Sequence, residues 1–150
     1  MEPSSPFPSP HTSLKPSTPR ASASALEPAG VAAQKASVLI VEDDRSARRA
    51  IALILRRQGF AVCEAATVAD AILCIAGHPP PQWILLDLML PDGCGLDVLR
   101  KVRTDRLASK TCIITGCAAE MLNEARLAGA EYTFVKPLDV DQLVNLMTHA

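Results

Sequence analysis

An α/β fold, a doubly wound parallel sheet of five strands with helices on both faces, is what this sequence predicts, and three observations carry the prediction. From Ser37 onward, short apolar runs alternate five times with segments of helical period. Three of those runs are apolar at nearly every position, as strands buried on both faces must be. Gly59 and Gly129 punctuate two of the helix-period segments, where a chain in αL conformation ends a helix. Right-handed crossovers then leave only a few arrangements of the βαβαβαβαβα order.

The elements follow in order. Residues 1–36 are rich in Pro, Ser, Thr and Ala and show no period of 2 or 3.6, so a disordered tail is expected there and a single folded domain over 37–150. The first strand is Val38 to Val41. The helix Ser46 to Gln58 sets Ala47, Ile51, Ile54 and Leu55 on one face, flanked by Arg48, Arg49, Arg56 and Arg57, with Asp44 placed to cap it. Phe60 to Cys63 is a mixed run and is expected at a sheet edge. Val68 to Ala76 is the second helix, Trp83 to Leu86 the third strand and Gly95 to Arg103 the third helix. Thr111 to Ile114 is the fourth strand, Ala118 to Ala128 the fourth helix, and Tyr132 to Val135, again mixed, the second edge. Val140 to Thr148 closes the domain, and no output domain is expected after it.

Composition narrows the function. Hydrophobic residues make up 49% of the 150 residues and aromatics only 3%, so the core is aliphatic and no stacking platform is available. With 15 basic and 16 acidic residues the net charge is -1, and no basic stripe is present, so direct nucleic-acid binding is not expected. The five cysteines form no CxxC pair and have apolar neighbours, the pattern of small buried residues with reduced thiols rather than metal ligands. No apolar run approaches the roughly 20 residues that cross a bilayer, and no signal peptide is visible, which predicts a soluble cytoplasmic protein. The phosphate loops GxxxxGK[ST] and GxGxxG are absent. His11, His78 and His149 sit in tail or loop contexts and complete no Ser-His-Asp set, so a small redox or hydrolytic enzyme is disfavoured.

In such a sheet, ligands bind beyond the carboxyl ends of the strands. Glu42, Asp43 and Asp44 follow the first strand, Asp87 the third, Thr115 the fourth and Lys136 the fifth, so four of the five strands deliver a reactive group to one edge. Asp87 carries the most information, because a carboxylate at the end of a core strand costs free energy unless something pairs with it. If the first and third strands are neighbours, Glu42, Asp43 and Asp87 crowd together and demand a cation. Mg²⁺, which takes few carboxylates and leaves sites for phosphate oxygens, suits the group. Lys136 and Thr115 supply a point charge and a hydroxyl for those oxygens, and phosphoryl transfer needs little more than such positioning and neutralisation.

The segments VLIVEDD, LLDLMLPDGCGLDVL, IITG and FVKP, in this order, resemble the receiver domain of bacterial two-component response regulators over roughly Ser37 to Ala150. The resemblance implies a flavodoxin-like sheet of order 2-1-3-4-5, an order the general description of doubly wound folds also gives for a member of this family. It also implies that Asp87 becomes a 4-aspartylphosphate, that Glu42, Asp43, Asp87 and the backbone carbonyl of Met89 surround Mg²⁺, with Glu42 acting through water, and that Thr115 and Lys136 hold the phosphoryl group. A cis Lys136-Pro137 bond is implied as well. Where the family usually has Tyr or Phe, three residues before the lysine, this chain has Thr133; output then runs through packing of the last strand and helix, or through a shifted Tyr132.

The resemblance implies a stand-alone response regulator that catalyses its own phosphorylation and dephosphorylation. Its partners would be a histidine kinase or phosphotransfer protein and a downstream protein, with no membrane or direct nucleic-acid contact, as a monomer or a phosphorylation-linked dimer. The alternative is a pseudo-receiver, a protein-binding module that works without phosphorylation.

Overall fold

The computed structural model describes residues 35–150, so the expected tail, apart from Lys35 and Ala36, and His11 lie outside the described residues. The chain runs β1 (Lys35–Val41), α1 (Arg45–Arg57), β2 (Phe60–Ala65), α2 (Val68–Ile75), β3 (Trp83–Leu86) and a short hairpin of β4 (Met89–Leu90) with β5 (Gly93–Cys94). It continues through α3 (Gly95–Thr104), β6 (Lys110–Thr115), α4 (Ala119–Leu127), β7 (Tyr132–Val135) and α5 (Val140–His149). The five long strands form one sheet of order β2-β1-β3-β6-β7, every pair parallel. Counting only these five, the order is 2-1-3-4-5, and the two mixed runs are its edges.

Pleating divides the core in two. Leu39, Val41, Ile84, Leu86 and Ile113 face α2, α3 and α4, whereas Val38, Ile40, Trp83, Leu85, Cys112 and Ile114 face α1 and α5. Helix α1 buries Ile51, Ala52 and Leu55, and the Asp44 carboxylate accepts the Ala47 N–H at 2.7 Å to cap its first turn. Thr67 and Asp139 cap α2 and α5 in the same way. Gly59 (φ 91°) and Gly129 (φ 99°) follow α1 and α4 in the left-handed region, as their positions in the sequence predict.

Several details depart from what the sequence predicts. β1 starts at Lys35, inside the expected tail, because the Lys35 N–H donates to the Gly59 carbonyl at 3.0 Å and the residue pairs with Phe60. The cysteines are not uniformly buried: Cys112 is, but Cys63 is exposed and Cys74, Cys94 and Cys117 are half-buried. Cys63 lies on an edge strand that the helices cover incompletely, so its apolar neighbours mislead. Burial pushes the Cys112 thiol up to about 12. His149 is the last residue of α5 rather than a loop residue, its ring 2.8 Å from the Asn145 carbonyl oxygen. Among the described residues, no helix is long and apolar enough to cross a membrane.

Gly95 opens α3 directly against the end of β3. A Cβ added there would collide with the Asp87 carbonyl oxygen and lie 3.0 Å from the Leu88 Cα. Gly95→Ala is therefore expected to destabilise the domain by about 1–3 kcal/mol, the usual cost of overpacking. A lowered denaturant midpoint at unchanged m-value is the measurement; an unaltered midpoint would show that the α3 start yields without cost.

Candidate functional site

β1 and β3 are paired neighbours in the middle of the sheet, Val41 opposite Leu86, so the residues after them leave the same edge side by side. The Asp87 N–H donates to the Val41 carbonyl at 2.9 Å and extends this pairing by one residue. β2 lies on one side of β1 and β3 on the other, so the strand order reverses here and a crevice opens at the carboxyl edge.

Glu42 and Asp87 are only 3% and 5% exposed, while Asp43 faces solvent. One carboxylate oxygen from each of the three lies within 4.8 Å of the others. Lys136, the residue after β7, reaches across to both buried carboxylates, its Nζ 2.7 Å from Glu42 Oε2 and 2.7 Å from Asp87 Oδ2. Burial alone disfavours its ammonium, but hydrogen bonds to Asp87 and Glu42, together with their charges, outweigh that and hold its pKa above the ordinary lysine value.

The remaining oxygens are also engaged. Asp87 Oδ1 accepts the Met89 N–H at 3.1 Å, and Glu42 Oε1 accepts the Asp44 N–H at 3.1 Å. Arg48, on the first turn of α1, donates to the Glu42 carbonyl at 2.7 Å and the Asp43 carbonyl at 3.3 Å, and pairs with Glu64 at 3.5 Å. The acidic loop is thus clamped from α1 and from β2. In the sequence Arg48 is only a flanking charge, since nothing in its spacing reports a bond to a backbone six residues earlier.

Three carboxylates face one ammonium, and the ion pair with Lys136 leaves Asp43 outside it. The excess negative charge, the hard oxygen donors and a solvent-facing carboxylate fit a divalent cation of the Mg²⁺ kind. A closed cage is not needed. Met89, 61% exposed, stands at the start of the β4–β5 hairpin with its amide on Asp87.

Thr115 ends β6 fully buried, beside Lys136, whose N–H donates to the Thr115 carbonyl at 3.0 Å. Its hydroxyl is engaged locally, donating to Cys117 Sγ at 3.1 Å and accepting the Cys117 N–H at 3.4 Å. Lys136-Pro137 is cis. All six residues singled out in the sequence are therefore at one edge: Glu42 and Asp87 are bonded to Lys136, Asp43 has a carboxylate oxygen within 4.8 Å of theirs, Met89 touches Asp87, and Thr115 adjoins through the backbone.

The neighbouring aromatics stand away from the site. Trp83 does not lie near the site: it opens β3, roughly 13 Å of strand away from Asp87 at about 3.3 Å per residue. There it sits under the Lys110 ammonium, 5.3 Å from its ring centre. Nor does Tyr132 replace the missing aromatic at Thr133. It packs against Trp83, 5.6 Å between ring centres, on the α1 and α5 side. Thr133 faces the other way, its hydroxyl accepting from Arg126 of α4 at 3.1 Å.

Asp92 is a residue that sequence reasoning missed. Its carboxylate accepts the Val68 and Ala69 N–H groups at 2.8 and 3.0 Å, which holds it below the ordinary carboxylate range and ties the loop after β4 to the start of α2. The Asp-Gly step marks the turn, but not the helix it caps.

Comparison with known proteins agrees with this geometry. Residues 38–148 match the family model of the response regulator receiver domain. The chain is 36% identical over 110 residues to the acid tolerance regulatory protein ActR of Rhizobium meliloti, covering 72% of this chain and 56% of that protein. It is 37% identical over 108 residues to the photosynthetic apparatus regulatory protein RegA of Rhodovulum sulfidophilum, covering 71% and 58%. The chain thus spans little more than half the length of these relatives. Among solved structures, a CheY-like response regulator receiver domain protein from Methanospirillum hungatei superposes with a TM-score of 0.71 at 28% identity, covering 77% of this chain and 92% of that one.

Proposed function

Because this chain belongs to the response regulator receiver domain family, we propose that Asp87 is its phospho-acceptor and that Glu42, Asp43, Asp87 and the Met89 carbonyl hold Mg²⁺ beside it. The observation that carries the reading is the convergence of three carboxylates at the strand-order reversal, the two buried ones, Glu42 and Asp87, bonded to the half-buried Lys136 ammonium.

The Asp87 carboxylate attacks phosphorus, the bond to the donor breaks, and an acyl phosphate forms on the carboxylate. Lys136 Nζ, already against Asp87 Oδ2, is placed to meet a phosphoryl oxygen. The Thr115 hydroxyl meets a second oxygen only by giving up Cys117, and that exchange is the local movement through which the state of Asp87 reaches the loop before α4. The metal, when bound, would neutralise charge on the phosphoryl oxygens. No general base is needed, since a carboxylate nucleophile has no proton to give up.

The donor is a histidine kinase or phosphotransfer protein in the cytoplasm, and the output is a conformational change read by a downstream protein, as a monomer or phosphorylation-linked dimer. In this reading the regulator stands alone, and the even charge balance of these 150 residues disfavours direct nucleic-acid contact by them. The intact mass of the protein from its native cell tests this: the mass of these 150 residues supports it, and a larger chain with a further domain sinks it. A phosphorylation-independent protein-binding module is the second reading. Thr133 favours it, because a hydroxyl bonded to Arg126 replaces the aromatic side chain usual at that place.

Magnesium discriminates the two. Wild-type protein is expected to gain about 1.4 kcal/mol of stability when Mg²⁺ is tenfold above its dissociation constant. Asp43→Asn, which lowers the anionic charge without touching the buried ion pair, should lose most of that gain. Thermal or denaturant melts with and without millimolar Mg²⁺ measure it, and an unchanged wild-type midpoint would favour the protein-binding module.

A further inference from the structure

Cys63 on β2 and Cys74 on α2 stand with their sulfurs 3.1 Å apart, outside the site described above. Cys63 is exposed and Cys74 half-buried. The pair borders a surface groove lined by Ser37, Leu39, Ala61, Pro79 and Pro81, which gives small solutes access. β2 is an edge strand and α2 follows it directly, so the fold itself brings the two side chains together. Closing the sulfurs to a covalent bond of about 2 Å asks for roughly 1 Å of side-chain movement.

From this geometry we propose that Cys63 and Cys74 form a reversible intramolecular disulfide when the protein meets a peroxide. The exposed Cys63 sulfur attacks the peroxide O–O bond, giving the sulfenic acid and releasing an alcohol or water. Cys74 sulfur then attacks Cys63 sulfur; the S–O bond breaks, the S–S bond forms, and water leaves with the Cys74 proton. Two thiols are oxidised and one peroxide reduced. A dithiol reductant reverses the reaction by exchange. Burial, then the hydrogen bond and charge of Cys63, then Asp70, push the Cys74 thiol up to about 11, which makes Cys63 the sulfur that meets the oxidant first. The bond would pin α2 to the sheet. The first two amides of that helix already hang on Asp92, in the loop next to the acidic site. The chemistry itself does not depend on Asp87 being phosphorylated.

The test is peroxide treatment of the full-length reduced chain, followed by thiol titration and peptide mapping without reductant. The expected result is a loss of two of the five thiols, a mass lower by two hydrogens and one cross-linked peptide joining positions 63 and 74, all restored by dithiothreitol. Cys63→Ser and Cys74→Ser should each abolish the cross-link, and Cys74→Ser should leave a sulfinic acid on Cys63. Cys94→Ser should leave the cross-link intact. Over-oxidation of Cys63 in the wild type without a cross-link, or intermolecular dimers through Cys63 as the sole product, overturns the proposal; the wild-type peptide map decides between these outcomes even if a variant fails to fold.

Discussion

Asp87→Asn is expected to take up no phosphoryl label from acetyl phosphate or a phosphorylated histidine kinase in the presence of Mg²⁺, under conditions in which the wild-type chain is labelled. The substitution is nearly isosteric but replaces a carboxylate nucleophile with an amide that does not attack phosphorus. It removes one of three clustered negative charges and leaves Lys136 paired with Glu42 at 2.7 Å, so the fold should hold. A folded variant without label is thus a statement about chemistry. Label that persists on the variant, mapped to another residue, would remove Asp87 from the role.

Lys136→Ala should change both stability and chemistry. Among the described residues the ammonium is the sole cation bonded to these two carboxylates, whose side chains are only 4% and 6% exposed, and truncation leaves both charges buried with no partner of opposite sign in that contact. Breaking a fully buried pair costs about 3–5 kcal/mol; Lys136 is itself 35% exposed, so screening brings the expected loss to about 1–3 kcal/mol. Mg²⁺ should recover part of it by occupying the same anionic pocket. Labelling should fall sharply, because a phosphoryl oxygen loses its point charge.

The pH dependence of that variant follows from the raised lysine pKa. A group whose pKa is higher folded than unfolded stabilises fully below its unfolded value, and the contribution disappears as pH climbs through the folded one. On the alkaline side, the stability gap between wild type and Lys136→Ala should therefore stay level from neutral pH upward and close in the strongly alkaline range. Denaturant melts across that range check it; a gap that closes near neutrality would mean the ion pair does not hold the lysine proton.

Much of this protein is legible because burial writes itself into a parallel sheet. Val38 to Val41, Trp83 to Leu86 and Thr111 to Ile114 are apolar on both faces since both faces are covered, and a polar residue directly after such a run must be at the carboxyl edge. Glu42, Asp87 and Thr115 are found by that rule, Lys136 by carrying it over to the mixed edge run Tyr132 to Val135, and family resemblance adds Met89. The misreadings share a cause as well. Cys63 sits among apolar residues on a strand covered on fewer sides, so local composition overstates its burial. Tyr132 is one residue from Thr133, and one residue along a strand is the other face of the sheet.

The order of elements, the edge and centre strands, and the polar residues that end them are written in the chain, because periodicity and burial are properties of neighbours along it. Folding in three dimensions was needed to bring Lys136 across 94 and 49 residues to Glu42 and Asp87, to clamp the acidic loop with Arg48, to rest Thr115 on Cys117, and to let the sulfurs of Cys63 and Cys74 meet. Those contacts are set by strand register and by which face each side chain takes, and neither quantity exists until the strands are paired.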